Sequence, residues 1–163
     1  MPYTPQQLSD RQDIVDVLNA YCRAIDDNRP DDVITLFTDD CVYDYGGDLG
    51  SFDSKAYAYK FFRAGTDKIY RRSAHYVTNV ETDFVDDDMV DTVTYLAAWH
   101  EFHEDIPNAW IYGRYIDRFV RTAEGWRISQ RTVVTLGQDD WPRAVTYMDR
   151  NVLPPRDRSG DGG

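Results

Sequence analysis

The chain has 163 residues, 42% hydrophobic and 14% aromatic, which is enough for one compact core and too little for two comfortable domains. Its 29 acidic residues against 18 basic ones give a formal charge of −11 at pH 7, which disfavours nucleic acid and anionic membranes as partners. No apolar run approaches the roughly 20 residues that cross a bilayer, so we expect no membrane partner and a cytoplasmic location.

The N-terminal part of the chain is predicted to be helical, and it begins with residues typical of a helix N-terminus. An N-cap residue, a first-turn proline and a capping-box residue stand at Thr4, Pro5 and Gln7. Apolar residues then recur at helical spacing and predict a long amphipathic helix, at Ile14, Leu18 and Cys22. Beyond it we predict a shorter helix at 30–37, a short strand at 41–45 and a third helix ending at Gly65.

From about Ile69 onward, β-branched and aromatic residues predominate and predict a sheet. Short turn-like stretches separate four long strand candidates, at 70–85, 89–104, 109–121 and 126–136. Because short connections imply antiparallel neighbours, we predict an α+β domain. A curved antiparallel (mixed) sheet would wrap around the N-terminal helices and form a cone with an internal pocket. We expect this single domain to span 1–153, with a disordered tail at 154–163.

The sequence carries no sign of a metal or cofactor site. Cys22 and Cys41 lack the paired spacing of zinc and redox motifs and are interpreted as buried free thiols. His100 and His103 fall on opposite faces of one predicted strand, which disfavours a histidine metal site and leaves His103 at the surface. Glycine-rich phosphate loops are also missing from the sequence, so we expect neither a metal nor a cofactor.

Asp26 continues the apolar stripe of the first helix. Steps of four residues from Ile14 pass through Leu18 and Cys22 and arrive at this aspartate. Its carboxylate would then point inward near the helix C-terminus, where the helix dipole disfavours negative charge, and it would need a partner. Alternatively, the helix ends before Asp26 and the side chain turns into solvent. His75 favours the inward orientation, because it offers that partner.

Two histidines are predicted to face the interior of the sheet. Under strand alternation His75 shares a face with Val77 and Asn79, and an inward imidazole could form a hydrogen-bonded dyad with Asp26. His100 shares its face with apolar residues of the next strand, so it is interpreted as a pocket residue.

Three segments together resemble a known family: 11–37, 73–80 and 113–131. They are similar to the SnoaL-like branch of the nuclear-transport-factor fold over roughly residues 8–137. That branch includes scytalone dehydratase, hexachlorocyclohexane dehydrochlorinase and bile-acid dehydratase. The resemblance implies a cone-shaped domain with a site inside the cone.

The resemblance also implies roles for five residues. Asp26 and His75 match the aspartate and histidine of the catalytic dyad of the lyases. Tyr45, His100 and Arg131 match residues that bind substrate or stabilise an oxyanion. Two positions depart from the pattern: Ile25 replaces a tyrosine of the fungal dehydratase, and Tyr21 replaces a lysine of the dehydrochlorinase. The leaving group therefore stays open.

The expected function is a cofactor-independent lyase of dehydratase or dehydrohalogenase type. His75, oriented by Asp26, would abstract a proton from a hydrophobic cyclic small molecule, and loss of hydroxide or halide would complete the reaction. The same dyad could instead serve an isomerase or cyclase, in which the proton returns to the product. A third alternative is a non-catalytic binding or assembly module of the same fold.

Aromatic residues on the outward face of the sheet indicate a subunit interface. The strands carry more large rings than the concave side of one small cone can bury, among them Tyr95, Trp99, Trp110 and Tyr112. The lyases that the chain resembles are trimers, so we expect a homotrimer, with a dimer as the alternative.

Overall fold

The structure is a computed structural model that describes residues 3–46 and 50–142. Three helices precede or interrupt the early strands: α1 (Pro5–Asp26), α2 (Pro30–Thr35) and α3 (Lys55–Ala64), the last followed by a π-helical turn (Gly65–Ile69). Six strands form one sheet: β1 (Phe37–Asp44), β2 (Ser51–Phe52), β3 (Tyr70–Phe84), β4 (Met89–Phe102), β5 (Ala109–Thr122) and β6 (Gly125–Asp139). The predicted α+β class is confirmed. The predicted tail at 154–163 lies outside the described residues.

Helix α1 has the predicted beginning and continues through Asp26. The Thr4 hydroxyl accepts the Gln7 backbone N–H at 3.1 Å, and the Gln7 side chain accepts the Thr4 N–H at 2.9 Å, which completes a capping box. The last turn closes where the backbone N–H of Asp27 donates to the carbonyl of Arg23 at 2.9 Å. Asp26 is therefore the last residue of the helix, half-buried on its inner side.

The sheet has the strand order β2-β1-β6-β5-β4-β3. Its pairings are antiparallel except that β1 runs parallel to β6, so the sheet is mixed. The four long strands predicted from the sequence are present within three residues of their expected ends. Strand β1 is longer than predicted, because it begins at Phe37, and the two-residue β2 was not predicted at all.

Strand β4 forms the centre of the concave face. Alternate residues from Val90 to Phe102 are all buried, while those between them are partly exposed on the convex face. Val90, Leu96 and Ala98 of this face belong to the hydrophobic core together with Ile14 and Leu18 of α1. Cys22 and Cys41 are both buried and unbridged, as predicted. No helix in the described part of the chain is long and apolar enough to cross a membrane.

Register shifts interrupt three of the strand pairings and turn side chains away from simple alternation. In β3 the shift between Thr78 and Glu81 includes Asn79, which has a φ of 49° and is exposed. The sequence prediction that Asn79 shares an inward face with His75 is therefore wrong, because the bulge lies between them. A second shift in β3 lies between Tyr70 and Arg72.

Candidate active site

A cavity of about 220 Å³ opens between α1, α3 and the concave face of the sheet. Every long strand contributes to its wall, and the π-helical turn closes one side through Gly65 and Ile69. Four of the five candidate residues from the sequence line it: Asp26, Tyr45, His75 and His100. The structure thus brings residues from α1, the end of β1, β3 and β4 to one small volume.

Asp26 and His75 are in direct contact at the cavity wall. The Nδ1 atom of His75 lies 2.7 Å from Oδ1 of Asp26, and the backbone N–H of His75 donates to Oδ2 at 2.8 Å. The hydroxyl of Ser73 donates to the same Oδ1 at 2.7 Å. Burial alone would raise the pKa of Asp26, but the hydrogen bonds from His75 and Ser73 outweigh burial and lower it. The carboxylate is therefore held ionised despite its place at the end of α1.

The ionised carboxylate determines which nitrogen of His75 carries the proton. A carboxylate can only accept hydrogen bonds, so the imidazole donates from Nδ1 to Asp26. In a neutral imidazole bound in this way, Nε2 has no proton and is free to accept one. The arrangement has the geometry of a general base whose ring is fixed by a second residue.

His100 is a buried, neutral neighbour of His75. Its side chain lies in the cavity wall with 6% of its surface exposed, and its ring stands edge-on to His75 with 5.3 Å between ring centroids. Tyr70 and Trp141 contact the ring on its other sides, at 4.6 Å and 4.9 Å. Burial, helped by the nearby His75, lowers the pKa of His100 to about 3. Its Nδ1 has no hydrogen-bond partner within residues 3–46 and 50–142.

Three tyrosine hydroxyl groups meet on the side of α1 and β1. The Tyr21 hydroxyl lies 2.8 Å from that of Tyr43 and 3.3 Å from that of Tyr45, and the Tyr45 hydroxyl donates to Tyr43 at 3.1 Å. Tyr21 and Tyr45 line the cavity, whereas Tyr43 lies behind them. Burial raises the pKa of Tyr43 and Tyr45 well above the usual value, so both remain protonated hydrogen-bond donors.

Arg131 lies beneath the cavity and not in its wall. Its guanidinium donates two hydrogen bonds of 2.7 Å to the carboxylate of Asp117, and both side chains are fully buried. The same guanidinium lies 3.9 Å from the ring centroid of Tyr115 and 4.3 Å from that of Tyr21. The Asp117 carboxylate holds the pKa of Arg131 above its usual value even though burial opposes this. The arginine therefore supports two tyrosines that face the cavity.

Several residues of the site were missed in the sequence. Ser73 could have been found, because it lies two residues before His75 and so shares its face. Tyr21 stands out in the sequence only because it replaces a lysine of the dehydrochlorinase that the chain resembles. Asp117 carries no sequence signal that separates it from core residues, and Trp141 lies beyond the last predicted strand. Within the described ranges, no three His, Cys, Asp or Glu side chains come together as metal ligands would.

Comparisons with known proteins agree on one family and one fold. Residues 6–132 match the SnoaL-like domain. An uncharacterised protein of Mycobacterium tuberculosis is 32% identical over 126 residues, which cover 77% of this chain and 84% of that protein.

Two solved structures show the same fold. One is a candidate scytalone dehydratase from Novosphingobium aromaticivorans, with a TM-score of 0.83 and 23% identity over 89% of this chain and 96% of that one. The other is a hexachlorocyclohexane dehydrochlorinase from Novosphingobium barchaimii, with a TM-score of 0.75 and 17% identity over 88% of this chain and 98% of that one.

Proposed function

Because the chain belongs to the SnoaL-like domain family, we propose that it is a cofactor-independent lyase that removes water or hydrogen halide from a small cyclic substrate. The observation that carries the proposal is the contact between Asp26 and His75 at the cavity wall. Solved structures of the same fold include a candidate dehydratase and a dehydrochlorinase, and both names describe elimination reactions.

In the proposed reaction, His75 is the general base. Its Nε2 takes a proton from a carbon next to a carbonyl or similar activating group, while Asp26 holds the ring and stabilises the imidazolium that forms. The electron pair of the broken C–H bond becomes the new double bond, and the bond to the leaving group breaks on the neighbouring carbon. A hydroxide leaving group takes the proton from His75 and departs as water; a halide departs as the anion, and the imidazolium releases its proton to solvent.

Hydroxyl groups supply the oxyanion stabilisation in this proposal. Tyr45 and Tyr21 place their hydrogen-bonded hydroxyl groups at the cavity wall, on the side of α1 and β1. Donors that are already oriented toward developing charge lower the barrier more than solvent does. His100, a buried neutral imidazole beside His75, is proposed to contact the substrate from the cavity wall. Arg131 is proposed to position Tyr21 and Tyr115 and not to touch the substrate.

The size and lining of the cavity point to a ring compound. About 220 Å³ is smaller than the 300–1,000 Å³ of typical drug-sized pockets, so one or two rings are the expected size of the substrate. Aromatic and aliphatic side chains make up most of the wall, including Phe61, Tyr70 and Leu96.

A substrate screen with a mass readout tests the proposal. Cyclic hydroxy and halo compounds that raise the thermal midpoint of the protein are incubated with it, and the products are examined by mass spectrometry. A loss of water or hydrogen halide that requires His75 supports the lyase. Products of unchanged mass that take up deuterium from heavy water would identify an isomerase or cyclase instead. Ligands that bind without any change would identify a binding module.

We also propose that the chain assembles as a homotrimer through the convex face of the sheet. Parallel aromatic rings follow one another there, with 6.3 Å between the ring centroids of Tyr76 and Trp110 and 6.0 Å between those of Trp110 and Tyr112. Tyr112, Ile116 and Leu136 each leave more than a third of their surface exposed. Exposed apolar surface of this kind is typical of contacts between subunits.

A further inference from the structure

Two consecutive arginines reach the mouth of the cavity from β3. Neighbouring side chains of a regular strand point to opposite faces, but the register shift between Tyr70 and Arg72 breaks this alternation. As a result, Arg71 and Arg72 both line the cavity and both contact Glu101 of β4. Bulges that re-aim side chains in this way are common next to binding sites.

The charges at the mouth do not cancel. Arg71 contacts Oε1 of Glu101 at 3.3 Å and Arg72 contacts Oε2 at 3.0 Å, so two guanidinium groups share one carboxylate. Among the described lining residues Asp26 is the one carboxylate, and it already accepts hydrogen bonds from Ser73 and His75. The two arginines and Glu101 together carry one net positive charge at the mouth, in a chain whose formal charge is −11.

Solvent reaches both guanidinium groups. The arginine side chains are 52% and 71% exposed, against 19% for Glu101, so they can meet a ligand without losing a buried contact. The contacts of Glu101 show that one carboxylate can bind both arginines at once, because its two oxygens each contact one guanidinium group. Arginine pairs with carboxylates through the same charge-assisted hydrogen bonds when the carboxylate belongs to a ligand.

We propose that Arg71 and Arg72 form an anion subsite and that the substrate is a hydrophobic ring compound carrying a carboxylate. This inference rests on the proposed function, because the ring is taken to lie against His75. The two arginines precede His75 by three and four residues, which is roughly 10 to 13 Å along the strand. That distance matches a skeleton of up to two rings with its carboxylate at the mouth and its reacting carbon deep in the cavity.

A matched pair of ligands tests the subsite. The affinities of 2-naphthoate and its neutral isostere 2-naphthamide for the full chain are measured by calorimetric titration, which needs no turnover. We expect the acid to bind at least tenfold more tightly. In the Arg71→Gln/Arg72→Gln variant this preference should fall below threefold. Glu101→Gln frees both arginines and should tighten binding of the acid severalfold, with no change for the amide.

Arg118→Gln provides the control, because Arg118 is a partly exposed arginine paired with one carboxylate, Asp91, but does not line the cavity. It should leave the preference unchanged. Equal affinities for acid and amide in the unmodified protein, including no detectable binding of either, refute the subsite, and so does a preference that survives in the double arginine variant. The titration is repeated with His75→Ala, which should keep the acid preference. If the unmodified protein turns over none of the screened compounds while the acid preference is present, the lyase is refuted and the subsite stands.

Discussion

Asp26 holds His75 at two points, through the ring nitrogen Nδ1 at 2.7 Å and through the backbone N–H at 2.8 Å. One carboxylate thus fixes both the orientation of the imidazole and the position of the strand segment that carries it. The hydrogen bond to the backbone does not depend on the histidine side chain. Loss of the imidazole should therefore leave Asp26 tied to β3, whereas loss of the carboxylate releases both contacts.

The first prediction is that Asp26 and His75 act as a unit in turnover. His75→Ala and Asp26→Asn should each lower kcat/KM by about 100-fold or more, because each removes the oriented base. The double variant should be little worse than the more damaged single variant, since the losses are non-additive. The kinetics are measured on a substrate from the mass-based screen, with circular dichroism as the control for folding. Losses that multiply, or near-normal activity in either single variant, would contradict the dyad.

Tyr45 should contribute more to catalysis than Tyr43, although their hydroxyls are hydrogen-bonded to each other. Tyr45→Phe removes a donor at the cavity wall and should lower kcat by about 100-fold with little change in KM, as expected for an oxyanion contact. Tyr43→Phe removes a hydroxyl behind the wall and should cost less than tenfold. Steady-state kinetics of the two variants provide the comparison. A loss confined to KM in Tyr45→Phe would make it a binding residue.

The buried Arg131–Asp117 pair predicts a specific stability pattern. Arg131→Met leaves the Asp117 carboxylate buried without its partner and should lower the free energy of unfolding by about 3–5 kcal/mol. Replacing both residues, as Arg131→Met/Asp117→Leu, should recover at least half of that loss. Urea unfolding of the three proteins measures the effect. Full stability of Arg131→Met together with weaker ligand binding would instead place the arginine in the binding site.

His100 should make the stability of the protein depend on pH below neutrality. Its folded pKa of about 3 lies below the ordinary value of 6.5, so the unfolded chain takes up the proton first as the pH falls. The free energy of unfolding therefore has its full value, as far as His100 is concerned, above pH 6.5. It falls between pH 6.5 and pH 3, by at most about 1.4 kcal/mol per pH unit. His100→Phe should remove this component from unfolding curves recorded across the range. Titration of the His100 imidazole near pH 6.5 in an NMR spectrum would contradict the assignment.

The convex face should govern the oligomeric state. Light scattering at micromolar concentration is expected to give the mass of a trimer for the full chain. Tyr112→Ser/Ile116→Ser removes two exposed apolar side chains from this face and should lower the mass. Tyr57→Ser is the matched control, because Tyr57 is an exposed aromatic residue of helix α3 and not of the strands that form the convex face. A monomeric mass for the unmodified chain would refute the interface.

Periodicity accounts for the parts of the site that could be predicted. Asp26 follows from steps of four residues along an uninterrupted helix, and His100 follows from strict alternation along β4, which no register shift disturbs. Both predictions use only local geometry that the sequence itself displays. The long strands were found for the same reason.

The pairing of Arg131 with Asp117 could not be read from the sequence, because it depends on a bulge. Counting back from the turn between Thr122 and Gly125, regular pairing would place Gln130 opposite Asp117. The register shift between Arg118 and Phe119 moves Arg131 into that position and turns it into the core. One extra residue thus reverses the face of the side chains that follow it, as far as the next register shift between Tyr112 and Gly113. The parallel contact of β1 with β6 was equally hidden, since it joins distant parts of the chain.

The length of α1 has a consequence for how this protein can vary. The helix begins at the capping box and ends at Asp26, whose carboxylate contacts His75. The number of residues in the helix therefore sets the position of this carboxylate relative to His75. One residue inserted between Leu18 and Asp26 would turn the carboxylate by about 100° and advance it by about 1.5 Å, away from His75. Functional homologues should therefore keep this stretch free of insertions and deletions. The mostly exposed connection at 103–108 carries no such constraint and can change length.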